Sequence, residues 1–224
     1  MPITPGLFAQ RGRRRAARLG IDPERVPPGQ SPTLKWPVLS VGPTPQVSRA
    51  GWRLSIDGAV SAPYQLGWEE LCRHRPSEWT GDIHCVTRWS KFAMRWRGVA
   101  VGELLQVARP SARASHLMAH SYGGYTTNMP LSDVLEHPAL IAWEADGRPL
   151  EPDHGGPVRL LVPHLYLWKS AKWIRRLEVL EEDRLGFWEQ NGYHHRGDPW
   201  REERYSVEEY VARALTRERR RGAR

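Results

Sequence analysis

From Trp52 to Leu180 the sequence is cut into short segments of differing periodicity, and this punctuation constrains the fold more than any single residue. WRLSIDGAV alternates as a strand up to an Asp57-Gly58 turn, and the stretch around Trp68–His74 has the spacing of a short helix. TGDIHCV predicts a strand ending at Cys85. TRWSKFAMRWRG has no clean period and predicts a long loop, after which VAVGELLQVA returns to helical spacing. SHLMAHSYGGYTTNMP predicts two strands broken at Gly123-Gly124, and LSDVLEH a short helix. ALIAWEADGRPL, PVRLLVP and KWIRRLEVL each carry a further strand, the first running into an Asp146-Gly147 turn. Short strands and helices in mixed order, without βαβα alternation, predict an α+β fold of mixed sheets with short helices.

The flanks differ from this body. Residues 1–50, rich in Arg, Pro and Gly, predict an extended N-terminal arm; residues 51–200 form the expected domain. Residues 201–224 predict a charged amphipathic helix with Val207, Tyr210, Val211 and Leu215 on one face. The net charge of the 224 residues is +8, which invites a nucleic-acid reading. The surplus lies in the flanks: residues 1–25 hold six Arg against Asp22 and Glu24, and residues 201–224 hold eight Arg against five Glu. That leaves the body nearly neutral and removes most of the case for nucleic-acid binding. No window is apolar enough to span a bilayer. Two cysteines and an opening segment without an apolar leader core place the protein in the cytoplasm. Cys72, on the apolar stripe of LGWEELCRH, is expected in the core.

Two clusters carry chemistry. Cys85 follows His84 at a strand-to-loop transition, with Arg88, Trp89 and Lys91 after it; nearby positive charge favours the thiolate, which attacks electrophiles or binds soft metals. On residue type alone a buried structural cysteine is the better account. DHGGPVRLLVPHLYLWKSAKWIRR sets His154, Arg159 and Lys172 on turns around an apolar strand. Such an Arg suits bidentate capture of a phosphate or heteroatom-rich ring, and the Lys adds a point charge. Solvated charges at sheet ends are the plain alternative.

The run AWEADGRPLEPDHGGPVRLLVP with the following KSAKW resembles the molybdenum-cofactor domain of sulfite oxidases. HCVTRWSKFAMRWRGV is similar to the catalytic subunit of the bacterial periplasmic methionine-sulfoxide reductases. The resemblance spans roughly Trp52 to Trp200 and implies a sulfite oxidase-type molybdopterin-binding domain with a molybdenum–molybdopterin cofactor. It implies that Cys85 ligates the metal and that His154 and Arg159 hold the pterin and its phosphate. The Ser170-Ala171-Lys172 loop meets the cofactor on the same basis, as do His120 and Ser121 at a strand end. Tyr193, 21 residues beyond Lys172, falls on the active-site tyrosine, where a phenol could bond a metal oxo group or substrate oxygen. His194 and His195, adjacent on an extended segment, point opposite ways and do not readily serve one metal.

One departure bears on substrate. Sulfite oxidases offer an arginine near their entrance, whereas TLKWPVLSVG here has only Lys35 and Trp36. The expected activity is two-electron oxygen-atom transfer on a small sulfur- or nitrogen-oxo compound, with a separate electron-transfer protein, since no second-cofactor motif is present. The rival readings are a nucleic-acid-binding protein using its Arg-rich ends and a thiol enzyme with Cys85 as nucleophile and His154 as base.

Overall fold

A computed structural model describes residues 6–207. Of the predicted C-terminal helix, Tyr210, Val211 and Leu215 lie outside the described residues. The helices are α1 (Gly6–Arg18), α2 (Trp68–Leu71), α3 (Val101–Ala108), α4 (Ser132–Leu135) and α5 (Phe187–Gln190). The strands are β1 (Ser31–Pro32), β2 (Arg53–Gly58), β3 (Tyr64–Gly67), β4 (Ser77–His84), β5 (Trp89–Ala100) and β6 (His116–Ser121). They continue as β7 (Thr126–Pro130), β8 (Leu140–Ala145), β9 (Arg148–Pro149), β10 (Arg159–Leu161) and β11 (Ile174–Leu180).

These strands form two mixed sheets. One has β1, β5, β8 and β10 in order, with β4 also paired to β5 and β9 to β8; the other runs β3-β2-β11-β6-β7. The parallel pairs are β1 with β5 and β2 with β11. The mixed α+β architecture is therefore observed. A large core joins Leu54, Ile56, Leu117, Leu160, Leu177 and the inward face of α3. Trp52 is fully buried in it and its indole N–H donates to the Ile174 carbonyl at 2.9 Å, so the large ring enters the core without an orphaned donor.

Three expectations change. TRWSKFAMRWRG is strand rather than loop: it supplies most of β5, a strand of 12 residues. Its period is hidden by a bulge at Ala93, where φ is +52°, opposite a register shift between Gly81 and Ile83. Asp82 accepts the Ala93 N–H at 2.9 Å, and only beyond this point do Met94, Trp96 and Gly98 alternate inward. The arm is not extended throughout, because GLFAQRGRRRAAR contains no proline and many Ala and Arg and folds as α1. Ala16 and Gln30 are buried, and β1 adds to the edge of β5. Cys72 is exposed, since α2 ends one residue before it.

Gly98 lies where β5 packs tightly against β8. A Cβ there would stand 2.3 Å from the Ile141 carbonyl oxygen and 2.7 Å from the Ala142 Cα, both backbone atoms. Gly98→Ala is expected to cost about 1–3 kcal/mol through forced separation of the two strands. A urea midpoint equal to that of the parent protein would show that the pair has slack.

Candidate active site

Strand ends and turns from both sheets enclose a cavity of about 330 Å³. Its wall includes Cys85, Ser121, His154, Arg159, Ser170, Ala171, Lys172 and Tyr193. These are eight of the nine residues expected there. The ninth, His120, is elsewhere: successive side chains of a strand face opposite ways, so with Ser121 on the cavity its neighbour points out. There His120 Nε2 lies 2.9 Å from Glu178 Oε2. His194 and His195 are not in the wall either.

Cys85 sits where β4 turns into β5. Its carbonyl accepts from Arg88 N at 3.0 Å and from Gln30 Nε2 at 3.0 Å, and its own N–H donates to Trp89 O at 2.9 Å. Arg88 closes this turn with φ +75°. The thiol is buried, and burial pushes its pKa up; the Thr87 hydroxyl, donating to Sγ at 3.1 Å, and the charges of Arg204 and Lys172 oppose that. The sequence neighbours expected to activate it do not. Lys91 pairs with Asp146 at 3.0 Å, and burial lowers His84 to about 4, leaving it neutral.

The opposite wall is cationic. Arg159, 3% exposed at the start of β10, donates from Nη1 to His154 O (2.8 Å), from Nη2 to Ser170 O (2.7 Å) and from Nε to Leu160 O (3.3 Å). Its guanidinium lies over the faces of Trp36 and Trp96 at 5.9 and 5.7 Å. Burial lowers it to about 10, so it stays charged at neutral pH. Lys172 donates to Asp153 O and Ser40 Oγ at 2.6 and 2.7 Å, and burial with the Arg159 charge brings it to about 8. Burial and the same two cations lower His154 to about 4; its ring stacks on Trp36 at 3.8 Å. Gly155 (φ +103°) lets the turn close, since a Cβ would stand 3.0 Å from the Cβ atoms of Arg159 and Lys172.

No carboxylate lines the cavity among the described residues; Arg159 feels none, and the Asp153 charge behind the wall only partly offsets the effect of burial and Arg159 on Lys172. Ser121 Oγ and Trp89 Nε1, also in the wall, are buried without a hydrogen-bond partner. Cations with no carboxylate beside them in the wall and orphaned polar atoms fit a polar, anionic ligand, and the thiol supplies a soft metal donor beside it.

Several wall residues carry no motif in the sequence. Trp36, Leu39, Ser40 and Val41 come from the arm, and Tyr125 donates to the Trp168 carbonyl at 2.6 Å. Behind Trp168 lies an ion pair of Lys169 and Glu189, 2.6 Å apart and fully buried. Lys169 also donates to the carbonyls of Asn128 and His195, so it ties the Tyr193 loop to β7. A Lys in an otherwise apolar HLYLWKSA run is the signal that was available. Asp133, His137 and His164 also cluster, but Arg196 already binds both oxygens of Asp133 at 2.8–3.2 Å, which makes this an ion network.

Residues 41–188, more than half of the chain, match the family described as an oxidoreductase molybdopterin binding domain. The chain belongs to this family. This molybdopterin-binding oxidoreductase is 42% identical over 183 residues to the uncharacterised oxidoreductase YuiH of Bacillus subtilis (strain 168), covering 81% of this chain and 92% of that one. It is 26% identical over 187 residues to a nitrate reductase [NADPH] of Pichia angusta, of which the match spans 21%. In fold it is similar to the sulfane dehydrogenase SoxCD from Paracoccus pantotrophus, with a TM-score of 0.60 at 22% identity, over 70% of this chain and 46% of that one. An enzyme with a molybdopterin cofactor accounts for the cationic wall and the thiol together.

The wall also predicts a pH response of the cofactor-free protein. His154, lowered from 6.5 to about 4, binds its proton less readily folded than unfolded, so its contribution to stability is intact above pH 6.5 and is lost as pH falls towards 4. His154→Asn is expected to flatten the stability–pH curve in that window relative to the parent protein. Parallel curves in urea titrations from pH 4 to 7 would show that His154 takes no part.

Proposed function

We propose that this oxidoreductase catalyses two-electron oxygen-atom transfer on a small, uncharged sulfur- or nitrogen-oxo compound, with Cys85 as the metal ligand. The observation that carries the proposal is one cavity lined by a buried thiol, the cations Arg159 and Lys172 and a neutral His154, with no carboxylate among the described residues. Arg159 has used three of its five N–H donors on carbonyls, and the remaining two are available to a phosphate. Lys172 adds charge, His154 and the Ser170-Ala171 backbone edge support the pterin, and Ser121 Oγ contributes a hydrogen bond. The bound molybdenum–pterin supplies a two-electron centre that exchanges an oxygen atom with the substrate.

The rest of the wall selects and orients. Trp36, Leu39, Val41, Trp188 and Tyr193 exclude water and offer no charge for a sulfite anion. Lys35, the one cation of the entrance stretch, is exposed and outside the wall. An uncharged sulfoxide or N-oxide therefore suits the site better than sulfite. Tyr193, packed edge-on to Trp168 at 5.3 Å and tilted on Trp188 at 4.8 Å, is held to present its phenol to the substrate oxygen and move a proton. A separate electron carrier completes the cycle. Two free thiols, one exposed, suit the cytoplasm. The thiol-enzyme reading loses support because burial pushes the Cys85 thiol up, away from the nucleophilic thiolate, and His154, lowered to about 4, is a poor base.

Cys85→Ser is expected to lower bound molybdenum at least about tenfold, read by metal analysis of protein from a molybdenum-replete host. Full metal content together with full activity would overturn its role. Tyr193→Phe should keep the metal and lower kcat about 100-fold; an unchanged kcat would remove Tyr193 from the mechanism. With a viologen dye as carrier, a dialkyl sulfoxide or an N-oxide should give a higher kcat/KM than sulfite, and the reverse order would overturn the uncharged-substrate assignment.

A further inference from the structure

We propose that the arginine face of α1 is the docking surface for an acidic one-electron carrier protein, placed behind the thiol end of the cavity. Arg11, Arg14, Arg15 and Arg18 are exposed and follow the spacing i, i+3, i+4, i+7, which puts them on one stripe of the helix. None of the four forms an ion pair among the described residues, whereas Arg13, on the far side of the helix from the stripe, meets Glu24 at 3.2 Å. Like charges at these spacings repel and weaken a helix. Gln, Glu or Lys would meet the helix propensity as well as Arg, so folding alone does not call for four like charges on one stripe, and an acidic partner does.

The opposite side of α1 faces the active site. Gly12 rests on the Gln30 carbonyl so closely that a Cβ would stand 2.0 Å from its oxygen. The Gln30 side chain, 1% exposed, then donates to the Cys85 carbonyl at 3.0 Å. Two contacts thus connect the stripe-bearing helix to the residue assigned to the metal. This closeness favours an electron carrier over DNA or a membrane, for which the position of Cys85 would be irrelevant.

The inference rests on the proposed oxygen-atom transfer, which creates the need for electrons. Reducing a sulfoxide to a sulfide and water breaks the S–O bond and consumes two electrons and two protons. A reduced iron–sulfur or flavin carrier supplies the electrons in two encounters at α1, and the protons come from water.

The test compares the cofactor-loaded full-length protein with two variants, one carrying Arg→Glu and the other Arg→Gln at Arg11, Arg14, Arg15 and Arg18. The probe is a reduced plant-type [2Fe–2S] ferredoxin, which is acidic, with a basic cytochrome c as the control for binding. The ferredoxin oxidation rate with the parent protein should fall about tenfold from low to high salt, as steering charges are screened. The Arg→Gln variant should start near the high-salt rate and lose the salt dependence, and the Arg→Glu variant should start below it and speed up with salt, with molybdenum content and viologen turnover at high salt unchanged in both. Variants that keep the parent rate and salt slope would overturn the proposal, as would equal binding of cytochrome c. A stripe that binds duplex DNA or anionic phosphatidylglycerol vesicles at physiological salt, while ferredoxin oxidation ignores it, would overturn it too. Absence of molybdenum from the parent protein would overturn the proposed function instead, and calorimetric ferredoxin binding to parent and variants would still decide the docking face.

Discussion

The guanidinium of Arg159 is the constraint around which the active-site half of the protein is arranged. It is buried at the head of a three-residue strand and gripped by backbone carbonyls from the His154 turn and the Ser170 loop. Those bonds add to the backbone bonds Leu160 N–Ala171 O and Trp173 N–Gly155 O in holding the three segments together. They also leave a permanent charge in a place where charge is costly, without a carboxylate to offset it. The consequence spreads outward, because the same charge helps to lower the pKa of both His154 and Lys172. A wall so prepared is stable as a resting place for an anionic group.

The aromatic side of the cavity is built on the opposite principle. There the charges are paired outside the lining: Lys169 with Glu189, both fully buried, and Arg196, one-third exposed, with buried Asp133. Burial pushes Lys169 down while the Glu189 charge opposes it, and the pair spends its hydrogen bonds on holding the 186–197 segment in place. What faces the cavity is aromatic, including Trp168, Trp188 and Tyr193. Cations bonded to neutral groups on one part of the wall and ion pairs behind another give the cavity two chemically different sides.

Much of this was legible before any coordinates. The clean period-2 and period-3.6 segments became the strands and helices they predict, and the Gly-rich corner at 155–157 and the Arg159–Lys172 spacing located one wall. The failures share a physical cause, which is that a non-local contact overrides a local pattern. In β5 the period is broken by the Ala93 bulge, which Asp82 stabilises from the neighbouring strand. His120 and Ser121 are adjacent, and which of them meets the cavity depends on the pleat of a sheet whose register neither residue sets. The charge expected to activate Cys85 from Arg88 and Lys91 is replaced by that of Arg204 and Lys172, far away in the chain.

The sequence by itself determined the α+β class and the near-neutrality of the body, which follow from local spacing and composition. It also holds a thiol, a strand-borne Arg, a loop Lys and a late Tyr, whose place in a molybdopterin site is what the family resemblance implies. Tertiary structure alone decided that the helix of the N-terminal segment packs against Gln30 and that the arm lends Trp36 and Ser40 to the cavity. It also decided that, among the described residues, no carboxylate shares the cavity wall with Arg159 and Lys172. Burial and counter-charge are properties of the space between distant segments, and that space exists once the two sheets have closed on each other.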